Sequence, residues 1–141
     1  MEQLHSIGKV YNDLKLENIL VGDKDNTPES LNSFYLIDFG LCTDYLDKDG
    51  NHIPFEKRQK FHGNVALASK HAMNFKSVSR RDDMISLTYL LIYLVQGTLT
   101  FLENTNMSKK DQFAFIAQKK NKMTPDSLCS SRHGSIYLKL V

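Results

Sequence analysis

The stretch Asn12-Asp13-Leu14-Lys15-Leu16-Glu17-Asn18, followed by Phe34-Tyr35-Leu36-Ile37-Asp38-Phe39-Gly40, decides how this chain reads. The first piece is Asp-x-Lys-x-x-Asn, and the second is an apolar strand that ends in Asp-Phe-Gly. An acid, an ammonium, a carboxamide and a second acid thus arrive in a fixed order on two loops. Moving a phosphoryl group from a nucleotide to a hydroxyl uses that set. One carboxylate accepts the hydroxyl proton, and the cation sits beside the moving group. The amide oxygen and the second carboxylate hold magnesium against the phosphates. One such motif could arise by chance. Two in this order, joined by a strand and trailed by Gly63 and Ser79-Arg80-Arg81-Asp82-Asp83, are hard to obtain by accident.

Working outward, residues 1–7 read as the tail of a helix, and Val10-Tyr11 as a short strand entering the loop. Ile19-Leu20-Val21 reads as a second strand, the polar stretch 22–33 as a hairpin loop, and Phe34-Tyr35-Leu36-Ile37 as the return strand that delivers Asp38. The charged stretch 44–60 suits an exposed loop. Helical character begins near Ser79, where Ser79-x-x-Asp82 resembles a capping box with Asp in place of Glu. Residues 84–95 are apolar on nearly every face and Gly97 offers a stop, so the pattern predicts a helix buried on all sides. Residues 108–120 read as an amphipathic helix, with Phe113, Ile116 and Ala117 opposite Lys109, Lys110 and Gln118. A polar loop over 127–135 and the opening of a late helix at 136–141 complete the chain.

A chain of 141 residues is one domain or part of one. The net charge of +2 is too mild to suggest nucleic acid. No secretory apolar region follows Met1, and the longest apolar run, 87–95, is too short for a bilayer. Cys42 and Cys129 make neither a disulfide framework nor a metal cluster. An intracellular protein without nucleic-acid or membrane partners is the expectation. His5, His52, His71 and His133 show no ligand spacing.

Taken together, these residues resemble the C-terminal lobe of a eukaryotic protein kinase, and more narrowly the casein kinase 1 family. The narrower likeness rests on His52-Ile53-Pro54-Phe55, Gly63 with Ala68-Ser69, Ser79-Arg80-Arg81-Asp82-Asp83, Gly97-Thr98-Leu99, Lys119-Lys120, Met123-Thr124-Pro125 and Leu128-Cys129. The resemblance implies an α+β fold, mainly α-helical, in which a small β-hairpin region carries the catalytic loop and the Asp-Phe-Gly turn. Residues 1–141 would be a partial kinase domain, running from the end of the helix before the catalytic loop to the start of a late helix. Asp13 would be the catalytic base and Lys15 would touch the transferring phosphate. Asn18 and Asp38 would bind ATP through Mg2+, with Gly40 shaping the turn. Asp83 would accept hydrogen bonds from the catalytic-loop backbone. Protein Ser and Thr side chains would be the substrates.

The departures are as informative. Where kinases place His-Arg before the catalytic Asp, this chain has Tyr11-Asn12, which removes pairing with a phosphorylated activation loop. Asn64 stands where the family's bracing threonine is found, and Ala66 where an arginine helps bind a primed substrate. Lys57, Arg58 and Lys60 are nearby candidates for attracting acidic or phosphorylated peptides, set against a plain solvated loop. No Gly-rich loop and no lysine strand precede Tyr11, so the N-lobe is expected to be absent. The isolated chain is then expected to be inactive, with a partner covering the face the N-lobe would meet. The alternative is a catalytically silent, pseudokinase-like C-lobe that serves as a binding or structural module.

Overall fold

The computed structural model describes residues 1–22, 33–102 and 107–128. Most of the hairpin loop expected over 22–33 and of the polar loop over 127–135 lies outside these residues, as do Cys129, His133 and the helix start at 136–141.

A short helix α1, Glu2–Ser6, runs into Gly8, whose φ of 80° turns the chain into strand β1, Lys9–Val10. A single 3-10 turn at Leu16–Asn18 leads into β2, Ile19–Val21, which pairs antiparallel with β3, Phe34–Leu36, in the register Ile19↔Leu36 and Val21↔Phe34. Strand β4, Thr43–Asp44, comes back antiparallel onto β1, with Lys9 opposite Asp44. The Lys9 ammonium lies 2.6 Å from the Asp44 carboxylate, so the register also matches the charges. The two small sheets bracket the loop that carries Asp13.

The remaining elements are helical. Ser69 caps α2, Lys70–Met73, by accepting from Ala72 N at 3.1 Å. Asp82 in the first turn of α3, Arg80–Gln96, accepts from Ser79 N at 2.8 Å, which is the acidic half of the expected capping box. Gly97 ends the helix at φ 74°, with its N–H on Tyr93 O at 2.8 Å. Ser108 caps α4, Lys109–Lys122, accepting from Asp111 N at 3.2 Å, and α5, Pro125–Leu128, follows. In α4 the apolar stripe turns inward, with Ile116 buried and the Phe113 ring edge-on to Phe61 at 5.2 Å.

The core joins Val10, Tyr11 and Leu14 of the loop region to Tyr89, Leu90 and Ile92 of α3, Leu99 and Phe101 after it, and Ile116 of α4. Helix α3 is not buried on all sides, contrary to the expectation from its composition. Met84, Leu91, Leu94 and Val95 are exposed, while Asp82, Asp83 and Ser86 are buried. Among the described residues, the core packs on Tyr89, Leu90 and Ile92 of the helix. Polar groups go inside at its start because each is hydrogen-bonded there, which removes most of the burial cost. Ser69 Oγ donates to Asp82 Oδ1, and Ser86 Oγ donates to Asp82 O at 3.0 Å. None of the described helices is long and apolar enough to cross a membrane.

Candidate active site

The loop that carries Asp13 is anchored from beneath by Asp83. This carboxylate, 1% exposed, accepts from Tyr11 N at 2.7 Å and Asn12 N at 2.9 Å, and lies 2.8 Å from His5 Nε2. Three N–H groups around one buried carboxylate satisfy its charge without a metal or a lysine. Tyr11 adds a second tie, because its buried phenol donates to Ile37 O in the segment leading to Asp38. Burial also raises the Tyr11 pKa above the usual phenol value, which keeps that donor protonated. Asn12, at φ 68°, sends its amide to Leu41 O at 2.8 Å and Thr43 Oγ1 at 3.0 Å. Where an arginine was missed in the sequence, the amide instead stitches the loop to the strand after Asp-Phe-Gly. Behind it, Gly63 sits so close that a Cβ there would be 2.5 Å from Asn12 O.

On this platform three of the four candidate residues converge. Asp13, 5% exposed, receives Lys15 Nζ at 2.6 Å and Asn18 Nδ2 at 3.0 Å on the same oxygen, Oδ2. Asn18 Nδ2 also donates to Asp13 O at 3.0 Å, which fixes the amide so that Oδ1 is its spare acceptor. The hydrogen bond to Asp13 raises the Lys15 pKa, and the carboxylates of Asp38 and Glu17 add to it. Asp38 is joined to the group through the backbone: Ile37 N donates to Asn18 O at 3.0 Å. Asp38 is exposed and takes the left-handed conformation, φ 57°, and its Oδ1 accepts from Gly40 N at 3.2 Å. The Phe39 ring packs edge-on to Tyr11 at 5.7 Å.

Two surfaces flank these residues. Lys15, Leu16 and Glu17 share a groove of ≈ 210 Å³ with Asn64, Ala66 and Leu67. On the other side Arg58, Lys60, His62 and Lys76 border a small recess beside Asn12. Lys57 does not line that recess, and forms a backbone bridge to Lys76 instead. Leu20, Val21, Phe34, Tyr35, Phe39 and Leu41 are each exposed, with Phe34 72% exposed.

Among the described residues no three His, Cys, Asp or Glu side chains are grouped to hold a metal. Magnesium does not need such a cage. It takes one or two carboxylates or amide oxygens and completes its shell with phosphates and water. Asp38 Oδ2 and Asn18 Oδ1 fit that requirement. The Cys42 thiol is raised by burial and lies 3.8 Å from Tyr11 O, so it packs rather than reacts.

Sequence reading missed His5 and Lys120. A lone histidine 78 residues from its carboxylate gives no local signal. Lys120 sits in a run of polar residues, yet it is buried.

Comparison with known proteins was then decisive for the family. The family described as Protein kinase domain matches residues 1–139. A probable casein kinase I homolog of Encephalitozoon cuniculi is 33% identical over 138 residues, covering 98% of this chain and 41% of the relative. A casein kinase 1-like protein of Oryza sativa subsp. japonica is 35% identical over 131 residues, covering 92% of this chain and 18% of the relative. A casein kinase I homolog of Schizosaccharomyces pombe is 29% identical over 131 residues, covering 92% of this chain and 30% of the relative. The chain thus spans less than half the length of each of these relatives.

Proposed function

The chain belongs to the protein kinase domain family, and from that premise we propose that it is the catalytic-loop lobe of a serine/threonine kinase of casein kinase 1 type. The reaction moves the γ-phosphate of ATP to a protein Ser or Thr. One observation carries this reading: Lys15 at 2.6 Å and Asn18 at 3.0 Å meet on a single oxygen of Asp13, in a loop pinned by Asp83. Asp13 is the base that orients the hydroxyl and takes its proton. Lys15, 29% exposed, is free to swing toward the phosphoryl group. Asn18 Oδ1 and Asp38 Oδ2 would hold Mg2+, which when bound offsets the charge on the transferred group. The protein's own work is positioning and charge placement.

The groove between Lys15 and Asn64 suits the substrate chain, and the basic recess of Arg58, Lys60 and Lys76, with Lys57 nearby, favours acidic or phosphorylated peptides. The exposed rings of Phe34 and Phe39 suit contact with a nucleotide-covering body, in line with the reading of residues 1–141 as a partial kinase domain. An intracellular setting goes with this reading.

The test is phosphate transfer to a Ser/Thr peptide by the chain joined, ahead of residue 1, to the nucleotide-covering lobe of a casein kinase 1 relative. Transfer should be magnesium-dependent, and Asp13→Asn should lower it by about a hundredfold or more without changing the fold. Equal transfer by Asp13→Asn would sink the base assignment. No transfer in any form, with no magnesium-dependent ATP binding, would favour the silent binding module.

A further inference from the structure

Lys120 of α4 is 1% exposed, although it lies in the polar run Gln118-Lys119-Lys120-Asn121-Lys122. Its Nζ donates to Ala68 O at 2.6 Å, Ala66 O at 2.9 Å and Val65 O at 3.1 Å. An ammonium has three N–H donors, and three carbonyls of one loop receive them. The charge also lies over the rings of Phe101, at 4.5 Å, and Tyr89, at 4.9 Å. Among the described residues no carboxylate pairs with it. A lysine ordinarily lets its charged end reach water, so a fully buried one needs a partner that justifies the desolvation. Here the partner is the loop itself.

That loop adjoins the candidate active site. It begins at Gly63, packed on Asn12 O, and its residues Asn64, Ala66 and Leu67 face Lys15 across the groove. Within it, Asn64 Oδ1 accepts from Ala66 N at 2.8 Å and Asn64 O accepts from Ala68 N at 2.8 Å. These bonds shape the turn. They do not fix where the turn stands relative to the catalytic loop.

We propose that Lys120 is a positioning residue for the site: from the far side of the 63–68 loop it sets where that loop stands, and with it the peptide-facing wall beside Lys15. The clamp on the loop is independent of the kinase reading, whereas the peptide role rests on it.

Hydrogen exchange on the full chain at about pH 6, where Lys120 carries its third N–H, tests the clamp. In the wild type the amides of residues 66–69 should exchange more slowly than those of the stretch 57–60, where Lys57, Gln59 and Lys60 are exposed. Lys120→Met keeps apolar contact with Phe101 and Tyr89 but strands three carbonyls. Exchange across 64–69 should rise about tenfold or more, with the α3 amides at 89–92 held within about twofold. Lys120→Arg keeps a cation with several N–H donors for the same carbonyls, so part of the protection should return. An unchanged loop in the Met variant, or a uniform rise at every amide, overturns the proposal. If the Met variant does not fold, the other two proteins decide: a wild-type 64–69 stretch that exchanges as fast as 57–60, or an Arg variant that recovers none of its protection, also overturns it. Titrating the same variants, each joined ahead of residue 1 to the nucleotide-covering lobe of a casein kinase 1 relative, with a Ser-containing peptide tests the wall. The dissociation constant should rise about tenfold in Lys120→Met while magnesium-ATP affinity stays constant. Equal peptide affinity removes the positioning role. Absence of both peptide and magnesium-ATP binding in every protein tells against the kinase reading, and exchange alone then judges the clamp.

Discussion

Asp83 Oδ2 accepts from the backbone nitrogen of Tyr11 at 2.7 Å, across 72 residues of chain. The same carboxylate takes Asn12 N at 2.9 Å, so two consecutive amides of the loop that carries Asp13 end on one buried side chain. Asp83→Asn keeps the volume but replaces one acceptor oxygen with an N–H group that faces donors. We expect a loss of about 2–4 kcal/mol in urea unfolding, from the broken charge-assisted bonds and the stranded amides. A loss below about 0.5 kcal/mol, the level of an ordinary surface change, would mean that the loop does not depend on this anchor.

Gly63 has φ 116°, and a Cβ there would stand 2.5 Å from Asn12 O. Gly50 has φ 80° with open space around its missing Cβ, so it isolates the backbone cost from the steric one. Gly50→Ala should cost about 1 kcal/mol. Gly63→Ala should cost at least about 1–3 kcal/mol more, because the backbone contact cannot relax by a side-chain rotation. Equal midpoints and slopes for the two variants in urea would refute the close approach of the two loops.

Tyr11 ties the loop that carries Asp13 to Ile37 O, one residue before Asp38. Tyr11→Phe keeps the ring and its contact with Phe39 but leaves that carbonyl without its donor. The expected cost is about 1 kcal/mol, with faster amide exchange confined to residues 37–41. If exchange instead rose over α3 and left 37–41 unchanged, the tie would not be local.

Much of this architecture is legible in the sequence where the signal is local. Ser79 with Asp82 announces the start of α3, Gly97 its end, and the short apolar runs at 19–21 and 34–36 the hairpin strands. Asp13, Lys15 and Asn18 could be singled out because their spacing is short, and the 3-10 turn at Leu16–Asn18 folds that spacing onto one oxygen. What stayed hidden depends on contacts between distant segments. His5 meets Asp83 only once α3 is docked. Strand β4 is two residues long, too short to show a period, and exists through its pairing with β1. The composition of α3 suggested burial all round, but composition cannot say how much of a helix its neighbours will cover. Lys120 reads as one more surface lysine until the three carbonyls are in place.

The buried ammonium also gives the fold a pH dependence with a definite sign. Burial lowers the Lys120 pKa from 10.5 to about 7. Between those values the folded chain holds fewer protons at this site than the unfolded chain. The contribution of Lys120 to stability is therefore least favourable below about pH 7, and rises as pH climbs toward about 10. Tyr89, beside it, is pushed up to about 12 by burial and stays neutral throughout. Lys70 and Arg81 border the same cavity. Lys120→Met removes the titrating group and leaves these neighbours in place. The urea midpoint of the wild type relative to Lys120→Met should therefore shift in favour of the wild type as pH is raised from about 6 to about 9.5. A difference that stays flat across this range, or that falls, would show that the ammonium is not held away from water in the folded chain.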